Sequence, residues 1–245
     1  RQRGTEYVMT ITPATVTVEQ VAQMIDHALL RPELTVRDIH QGCAVAAKYQ
    51  VISVCVRPSD VPLAVKLLDG TRVLVGTVIG FPHGSIATAI KAAETELAVE
   101  QGAAEVDMVL NIGWLRSGEL DAVEADIRAV VEAAVAAPVK VILETAYLTN
   151  EEKVAGCQAA ERAGADFVKT STGFAPSGAT AADVTLMRAS VSPHIEVKAS
   201  GGVRTLDQLL ELANAGATRF GASATADILD DLARRRESAV ASAST

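Results

Sequence analysis

The sequence is poor in aromatic residues, since Phe, Trp and Tyr together make up only 3% of its 245 residues. A packed core must then be built from aliphatic side chains, which are plentiful because 49% of the chain is hydrophobic and 21% is charged. No apolar run approaches the roughly 18 residues that a membrane-spanning helix needs, and residues 1–12 lack the apolar centre of a signal peptide. We therefore expect a globular protein that neither spans nor binds a membrane.

Cysteine and histidine are also scarce and follow no recognisable ligand spacing. The three cysteines, Cys43, Cys55 and Cys157, form no CxxC pair, which predicts free thiols in a reducing, cytoplasmic compartment. The four histidines show neither HxH nor HExxH spacing, so we expect no metal site. His27 and His83 could titrate, although a lone histidine is more often structural.

Several motif classes are missing from the sequence. The net charge is −8 and the only basic run is Arg234–Arg236, which argues against a nucleic-acid surface. The chain has no Walker motif and no GxSxG elbow. It also lacks GxGxxG after its first β-type run, which weakens the case for a dinucleotide-binding sheet.

The helix signals that are present are clear. Thr17-x-x-Gln20, Thr149-x-x-Glu152 and Thr205-x-x-Gln208 fit the capping box, in which the threonine and the Gln or Glu side chains bind each other's backbone N–H. After Thr205, Leu206, Leu209, Leu210 and Ala213 recur at helical spacing. The same periodicity predicts an amphipathic helix over residues 86–101, with an apolar face formed by Ile86, Ile90, Ala93 and Leu97.

Short β-type runs alternate with these helices along the whole chain. Seven runs are clear: Val51–Val56, Arg72–Ile79, Glu105–Leu110, Val139–Glu144, Ala165–Thr170, His194–Ala199 and Thr218–Gly221. An eighth could be supplied by Ile25–Leu30. Such alternation indicates a parallel sheet, because parallel neighbours need a crossover. We predict a single α/β domain, a (β/α)₈ TIM barrel with a short N-terminal helix, over an open doubly wound sheet. The predicted boundaries are an extension at 1–12, the barrel at 13–235 and a flexible, frayed tail at 236–245.

A short repeat relates three of the units. Gly102, Gly164 and Gly216 each lie between a helix and a strand, as a glycine at the helix C′ position would. Counting five residues on from each glycine reaches Asp107, Lys169 and Gly221. Equivalent units would put these positions at similar heights, which places Asp107 and Lys169 at or near the carboxyl ends of their strands.

Two lysines end consecutive β-type runs, Lys169 and Lys198. Adjacent strands would make their ammonium groups neighbours, and like charges a few ångströms apart disfavour double protonation. One lysine would then be neutral near pH 7, as an amine nucleophile must be. The alternatives for Lys169 are a phosphate contact or an ion pair with an acid such as Asp107, Glu144 or Glu196.

A candidate anion site follows the second lysine. Residues 200–205, SGGVRT, run directly into the helix capped by Thr205, where glycines allow close approach of the backbone and the helix N-terminus favours an anion. Residues 220–223, FGAS, end the last unit, and barrels often bind phosphate with their last two loops. Gly173 could add a further donor. The alternative is a set of ordinary glycine turns.

Taken together, these motifs resemble those of the deoxyribose-phosphate aldolase family of class I aldolases, from about Ile25 to Ser223. The resemblance rests on six blocks: IDHxLL at 25–30, FPHG at 81–84, EVDMV at 105–109, FVKTSTG at 167–173, VKASGGVR at 197–204 and RFGAS at 219–223. It implies reversible cleavage of 2-deoxy-D-ribose 5-phosphate to D-glyceraldehyde 3-phosphate and acetaldehyde, with no cofactor and no metal. It also implies a homo-oligomer, either a dimer or a tetramer.

The resemblance implies a role for each matched residue. Lys169 is expected to form the Schiff base, Lys198 to keep it nucleophilic, and Asp107 to be the acid of a proton relay with Lys198 and a water. The remaining matches are expected to bind the substrate, mostly at its phosphate end: Asp26, Cys55, Thr170, Gly173, Gly201, Gly202, Arg204 and Ser223.

The chain departs from the family pattern at three points. Ala28 replaces a threonine of many members, Ala224 replaces a serine of some, and the tail lacks the terminal tyrosine that assists proton transfer in some members. These changes would affect rate or selectivity more than reaction type. Two rival functions stay open, a related Schiff-base barrel for another phosphorylated sugar and a phosphosugar-binding barrel without catalysis.

Overall fold

The structure is a computed structural model that describes residues 10–243, with side chains described as far as residue 239. Eight strands form one closed parallel barrel in the order β1 to β8, and β8 pairs with β1 through Asp26 and Gly221. The strands are β1 Ile25–Leu29, β2 Ser53–Val56, β3 Leu74–Ile79, β4 Glu105–Val109, β5 Val139–Ile142, β6 Phe167–Lys169, β7 Glu196–Ser200 and β8 Arg219–Ala222. The predicted (β/α)₈ barrel is confirmed, and the run at Ile25 supplies the eighth strand.

Ten helices are described, most of them packed around the barrel. They are α1 Val18–Ala22, α2 Val36–Tyr49, α3 Val61–Leu67, α4 Thr88–Glu100, α5 Ile112–Arg116, α6 Leu120–Ala134, α7 Asn150–Arg162, α8 Ala181–Ser190, α9 Leu206–Asn214 and α10 Thr225–Ala243. Two 3₁₀ turns lie at Pro58–Asp60 and Thr145–Tyr147. None of the helices within residues 10–243 combines the length and hydropathy needed to cross a membrane.

The local signals that predicted these elements have their expected structural counterparts. Thr17, Thr149 and Thr205 form complete capping boxes at the starts of α1, α7 and α9. The repeat glycines have positive φ angles of 100° at Gly102, 89° at Gly164 and 118° at Gly216, a conformation that glycine adopts without steric strain.

The main hydrophobic core lies between the barrel and its helices. Successive strand residues point to opposite faces, so the outward residues of β6 and β7, Val168 and Val197, are fully buried in this layer. Their neighbours Lys169 and Lys198 point into the barrel. The barrel interior therefore holds polar and charged side chains near its carboxyl end, surrounded by an apolar wall.

Helix α4 is present, but the apolar face that its spacing defines is exposed rather than buried. Ile86, Ile90 and Leu97 are 39%, 58% and 53% exposed, whereas the inward face carries Lys91, Thr95 and Ala98. Lys91 Nζ donates to Asp126 Oδ2 of α6 at 2.6 Å and to the Val109 carbonyl at 2.9 Å. This buried ion pair orients the helix, so its apolar side chains face outward.

The two ends of the chain are only partly described. The backbone N–H and C=O of Ile11 are hydrogen-bonded by the Asn214 side chain at 2.8 and 2.9 Å, which holds the start of the described chain against α9. Helix α10 extends to Ala243, well into the segment 236–245 for which a flexible tail was predicted. Residues 1–9, 244 and 245 lie outside the described residues. The boundaries at 13 and 235 stay predictions.

Candidate active site

A cavity of about 140 Å³ lies at the carboxyl ends of the strands. Most of the predicted site residues line it: Asp26, Cys55, Lys169, Gly173, Lys198, Gly201, Gly202, Arg204 and Ser223. They come from β1, β2, β6, β7 and β8 and from the loops that follow them. The closed barrel thus brings together residues that are distant in the sequence.

Lys169 and Lys198 meet at a single carboxylate. The two residues are direct register partners on β6 and β7. Each Nζ lies 2.6 Å from Oδ2 of Asp107, which reaches in from β4. Lys169 is 3% exposed, Lys198 is 1% exposed and Asp107 is 1% exposed. The ion-pair alternative is therefore correct in part, because Asp107 pairs with both lysines, but both lysines also line the cavity.

The two lysines differ in how many carboxylates they contact. Lys198 Nζ contacts Asp26 as well as Asp107, whereas Lys169 contacts Asp107 alone. Burial and the Lys198 charge lower the pKa of Lys169 against the opposing attraction of Asp107. For Lys198, burial is outweighed by Asp107 and Asp26, so its pKa is raised. Of the two lysines, Lys169 is therefore the one that loses its proton more readily.

The neighbouring acids remain ionised. Burial alone would raise the pKa of Asp107, but Lys140, Lys169 and Lys198 hold it well below its usual range. The pKa of Asp26 is likewise lowered, because the surrounding cations outweigh the effect of burial. Asp107 is not among the residues that line the cavity, but it contacts both lysines that do.

Cys55 is a neutral thiol in this setting. Its side chain lines the cavity from β2 and is 3% exposed. Burial, with a smaller contribution from the Asp107 charge, raises the pKa of the thiol to about 12. Cys55 therefore contributes shape and polarisable surface to the cavity rather than a nucleophile.

The glycine loops form the opposite end of the cavity. Gly173, Gly201 and Gly202 all have φ angles of 84–86°, the left-handed region in which other residues are strained. The loops are tied together, since the N–H of Ala179 donates to the carbonyls of both Ser200 and Gly201 at 3.1 and 3.0 Å. Together with Val203 and Arg204, which also line the cavity, they form a glycine-rich wall whose backbone a ligand can approach closely.

Thr170 is not brought to the cavity with the other predicted residues. Its Oγ1 donates to the Ser200 carbonyl and accepts from the Ser200 N–H, both at 3.0 Å, so the side chain bridges β6 and β7. The physical reason is strand alternation: Lys169 points into the cavity, and the next residue cannot point the same way. Thr170 therefore fixes the spacing of the two lysine strands.

Sequence reasoning missed the outer rim of the cavity. Phe174 lines it next to Gly173, with the Arg31 guanidinium 5.0 Å from its ring centroid and the Phe81 ring edge-on at 5.3 Å. Arg31 lies two residues after the end of β1, and the loops that follow the strands carry the functional residues of a barrel. This position could have predicted that Arg31 lies near the cavity. The predicted alternative partners of Lys169 lie elsewhere: Glu144 accepts from Thr172, and Glu196 accepts from Thr218.

The inner layer of charges was also missed. Lys140 on β5, Glu105 on β4 and Arg219 on β8 point into the barrel below the cavity. Glu105 lies two residues before Asp107, so strand alternation could have placed it on the same inner face. Among residues 10–243, no group of three or more His, Cys, Asp or Glu side chains is arranged to hold a metal ion.

The fold and site define a class of protein, the (β/α)₈-barrel enzymes with a polar cavity at the carboxyl ends of the strands. A sequence model described as "DeoC/LacD family aldolase" matches residues 20–230. The chain therefore belongs to the DeoC/LacD family of aldolases, which are carbon–carbon lyases.

Individual relatives agree with that family. The deoxyribose-phosphate aldolase of Macrococcus caseolyticus is 54% identical over 209 residues, covering 85% of this chain and 95% of the relative. The enzyme of the same name from Lysinibacillus sphaericus is 53% identical over 215 residues, covering 87% and 96%. A structure described as a unique tetrameric deoxyribose phosphate aldolase from Aeropyrum pernix superposes with a TM-score of 0.80 at 31% identity, covering 89% of this chain and 92% of that one.

Proposed function

We propose that this protein cleaves 2-deoxy-D-ribose 5-phosphate reversibly to D-glyceraldehyde 3-phosphate and acetaldehyde through a Schiff base on Lys169. The cellular role would be catabolism of deoxyribose phosphate in the cytoplasm, and the three free, buried cysteines agree with a reducing compartment. The observation that carries the proposal is the difference between the two lysines that line the cavity. Of these two, Lys169 is the one that contacts a single carboxylate and has a lowered pKa.

The first half of the reaction uses Lys169. Its neutral Nζ attacks the substrate aldehyde at carbon 1, and a proton supplied by Lys198 lets the former carbonyl oxygen leave as water, so that an iminium ion remains. The iminium withdraws electrons from carbon 2. When Lys198, neutral after that transfer, takes the proton of the carbon 3 hydroxyl, the bond between carbons 2 and 3 breaks. Glyceraldehyde 3-phosphate leaves, the bonding electrons form an enamine, and Lys198 is charged again.

The second half requires a proton and a water. Lys198 lines the cavity and is charged, so it is the group best placed to deliver a proton toward carbon 2 of the enamine. Asp107 contacts the Nζ atoms of both lysines through one oxygen and can pass protons between them. Hydrolysis of the resulting iminium then releases acetaldehyde and regenerates the Lys169 amine.

The substrate phosphate would occupy the glycine-lined end of the cavity. Gly173, Gly201 and Gly202 allow the backbone to approach the anion, and Arg204 and Ser223 line the same region. Binding there would leave Lys169 free of the phosphate and would direct the substrate aldehyde toward it. A separate place for the phosphate would remove the need for the alternative in which Lys169 contacts it.

Reductive trapping tests the proposal most directly. Incubation with deoxyribose phosphate or acetaldehyde and borohydride should add a two-carbon unit to Lys169, identified by peptide mass spectrometry, and K169A should not be labelled there. Folded, active wild-type protein without this adduct would overturn the mechanism. A substrate panel separates the proposal from a barrel acting on another phosphorylated sugar. A purely phosphosugar-binding protein would bind the substrate without releasing acetaldehyde.

We also propose that the protein is a homo-oligomer, a dimer or a tetramer, that assembles through the outward face of α4. Ile90 and Leu97 are more than half exposed there, beside a groove that reaches Pro58 and Ser59. The Aeropyrum pernix relative is described as tetrameric, which supports self-association.

Light scattering of I90D tests the assembly, because a buried aspartate would disrupt such an interface. We expect I90D to shift toward monomer while V36D, a matched change at an exposed valine of α2, leaves the assembly unchanged. A wild-type monomer, or an I90D protein with the wild-type mass, would contradict the proposal.

A further inference from the structure

Below Lys169 and Lys198 lies a second layer of buried charge that the proposed mechanism does not use. It consists of Lys140, Glu105 and Arg219, which are between 0% and 8% exposed, together with the fully buried hydroxyl residue Ser53. These groups belong to β5, β4, β8 and β2. They fill the barrel interior directly beneath Asp107 and Asp26.

Direct contacts join this inner layer to the cavity residues. Lys140 Nζ lies 2.9 Å from Asp107 Oδ1, 2.9 Å from Glu105 Oε1 and 3.8 Å from Asp26 Oδ2. Arg219 bridges the remaining oxygens, binding Glu105 through Nη2 and Asp26 Oδ1 through Nε at 2.7 Å. Ser53 Oγ is 2.7 Å from Asp26 Oδ1 and 2.8 Å from Glu105 Oε1. All six carboxylate oxygens of the three acids thus have a partner.

The charges of this connected cluster do not balance when every group is ionised. The three carboxylates, Asp26, Glu105 and Asp107, face four cations: Lys140, Lys169, Lys198 and Arg219. An uncompensated charge in a buried site is strongly disfavoured, and a buried group usually loses it by changing protonation state. Release of one proton from a lysine would leave three cations and three carboxylates.

The contacts decide which lysine gives up that proton. Lys140 touches three carboxylates, and Lys198 and Arg219 touch two each. Lys169 touches only Asp107, on the oxygen that Lys198 also binds. Lys169 is therefore the least compensated cation of the four. Lys140 contributes to this outcome by occupying the other oxygen of Asp107, so that both cavity lysines must share Oδ2.

The other titratable groups around Lys169 do not change this count. Cys55 faces it from β2 as a neutral thiol, since the thiol pKa is raised by burial. Glu144, in the loop after β5, makes no ion pair with Lys169 and accepts from the backbone N–H and hydroxyl of Thr172. Burial outweighs these bonds and the attraction of the Lys169 charge, so the pKa of Glu144 is raised. On β1, β4, β5, β7 and β8 the charged groups facing Lys169 are the six already named as its companions in the cluster.

We propose that Lys140 is a positioning residue that makes Lys169 the neutral amine of the site, by supplying the unmatched fourth cation and by holding Asp107 Oδ1. The inference rests on the nucleophile proposed above for Lys169. Lys140 itself never meets the substrate; it acts through Asp107 and through the total charge of the cluster. Glu105 acts in the opposite sense, because removing its charge would increase the excess of cations.

The pH dependence of Lys169 labelling tests this balance. Wild type, K140M, E105Q and K140M/E105Q are treated with acetaldehyde and cyanoborohydride across a pH series, and initial labelling of Lys169 is measured by peptide mass spectrometry. K140M leaves three cations and three carboxylates, so its labelling midpoint should rise by about one pH unit or more. E105Q should lower the midpoint. The double variant has three cations and two carboxylates, so its midpoint should return toward that of wild type.

Further variants separate charge from folding and hydrogen bonding. K140Q removes the same charge but keeps a hydrogen-bond donor, so it should show the same rise as K140M. The exposed Lys66 of α3 provides an internal control whose labelling midpoint should not move in any variant. If K140M and K140Q label Lys169 more slowly at every pH with an unchanged midpoint, Lys140 is merely structural and the inference is overturned. This conclusion needs only the two Lys140 variants, so it does not depend on whether E105Q folds.

The same experiment distinguishes failure of this inference from failure of the proposed function. Wild-type protein that never labels at Lys169 would reject the nucleophile itself. Wild-type labelling at Lys169 with identical midpoints in the Lys140 variants would retain the nucleophile and reject only the charge balance. Restoration of the midpoint in K140M/E105Q is the result that a structural role for Lys140 would not produce.

Discussion

The molecule buries lysines both inside its barrel and in the layer between barrel and helices, and the two regions compensate their charges differently. In the outer layer, Lys91 of α4 pairs with the single carboxylate of Asp126, 2.6 Å away. Thr88 Oγ1 donates to the same carboxylate at 2.8 Å. Lys91 thus forms an ion pair with one carboxylate, and the remaining hydrogen bonds of the pair are made by the neutral Thr88 hydroxyl and Val109 carbonyl. Inside the barrel, four cations face three carboxylates, and Lys169 contacts only one oxygen, which Lys198 also contacts.

A lowered pKa alone does not distinguish these regions. Burial is the largest cause of the lowered pKa at both Lys91 and Lys169. Lys91, however, is fully buried and takes no part in lining the active-site cavity, whereas Lys169 lines it. The proposed reactive lysine thus differs from the helix-orienting lysine in its access to the cavity and in its unmatched charge. Each of the following experiments changes one side of this comparison.

The largest expected effect is on activity, when Lys169 is replaced. K169M should reduce kcat by about 10⁴-fold or more, as loss of a covalent nucleophile does. Removing the least compensated cation should change the free energy of unfolding by no more than about 1 kcal/mol. Steady-state kinetics and urea unfolding measure both. A large loss of stability in K169M would show that Lys169 is instead part of a matched structural pair.

The opposite pattern is expected for Lys91. K91M leaves the Asp126 carboxylate buried without its cation, which should destabilise the fold by about 3–5 kcal/mol. Activity per folded molecule should stay near that of wild type, because Lys91 lies outside the active-site cavity. The double variant K91M/D126L, which removes both charges, should recover most of the stability. If K91M alone were as stable as wild type, the pair would not be what orients α4.

The smallest effect concerns His27, the other strongly perturbed base of the outer layer. It is 5% exposed, its Nδ1 lies 2.8 Å from Thr225 Oγ1, and burial lowers its pKa from 6.5 to about 4. The unfolded chain therefore binds the proton first, so the contribution of His27 to stability is complete above pH 6.5 and is lost as the pH falls toward 4. The difference corresponds to about 3 kcal/mol.

Urea unfolding over this pH range measures the His27 contribution. H27N should flatten the pH dependence of the free energy of unfolding, whereas H40N, at an exposed histidine of α2, should leave the wild-type slope. The lowered pKa values of Asp26 and Asp107 add a slope of the same sign only near pH 4, where the unfolded chain protonates its aspartates, and this part is common to wild type, H27N and H40N. An unchanged slope in H27N would mean that another group takes up the proton.

The barrel could be predicted because its signals are local. Capping boxes, the helix-ending glycines and the alternation of short β-type runs depend only on nearby residues, and they predicted the element order and the meeting of Lys169, Lys198 and Asp107. The orientation of α4 could not be predicted in this way, because its apolar spacing is as regular as that of α9. The deciding contact, Lys91 with Asp126, joins residues from two different helices.

The interior charge layer illustrates the same limit. Lys140 and Arg219 are ordinary charged residues in β-type runs, and only closure of the barrel brings them to Asp107 and Asp26. The glycines that line the cavity could be predicted, because a glycine-rich loop is visible in the sequence itself. Thr170 was assigned to the substrate because it follows Lys169 in a motif, although strand alternation directs it toward Ser200.

The close approach of Gly178 to Gly201 has a practical consequence for redesigning substrate range. A Cβ at Gly178 would lie 1.9 Å from the Gly201 carbonyl oxygen, so no larger residue fits there without moving the loop after β7. The glycine-lined end of the cavity is therefore a poor target for mutant libraries. At the rim, Arg31 and Phe81 each contact the ring of Phe174 through their side chains. Diversity introduced there would alter the entrance while leaving the lysine cluster untouched.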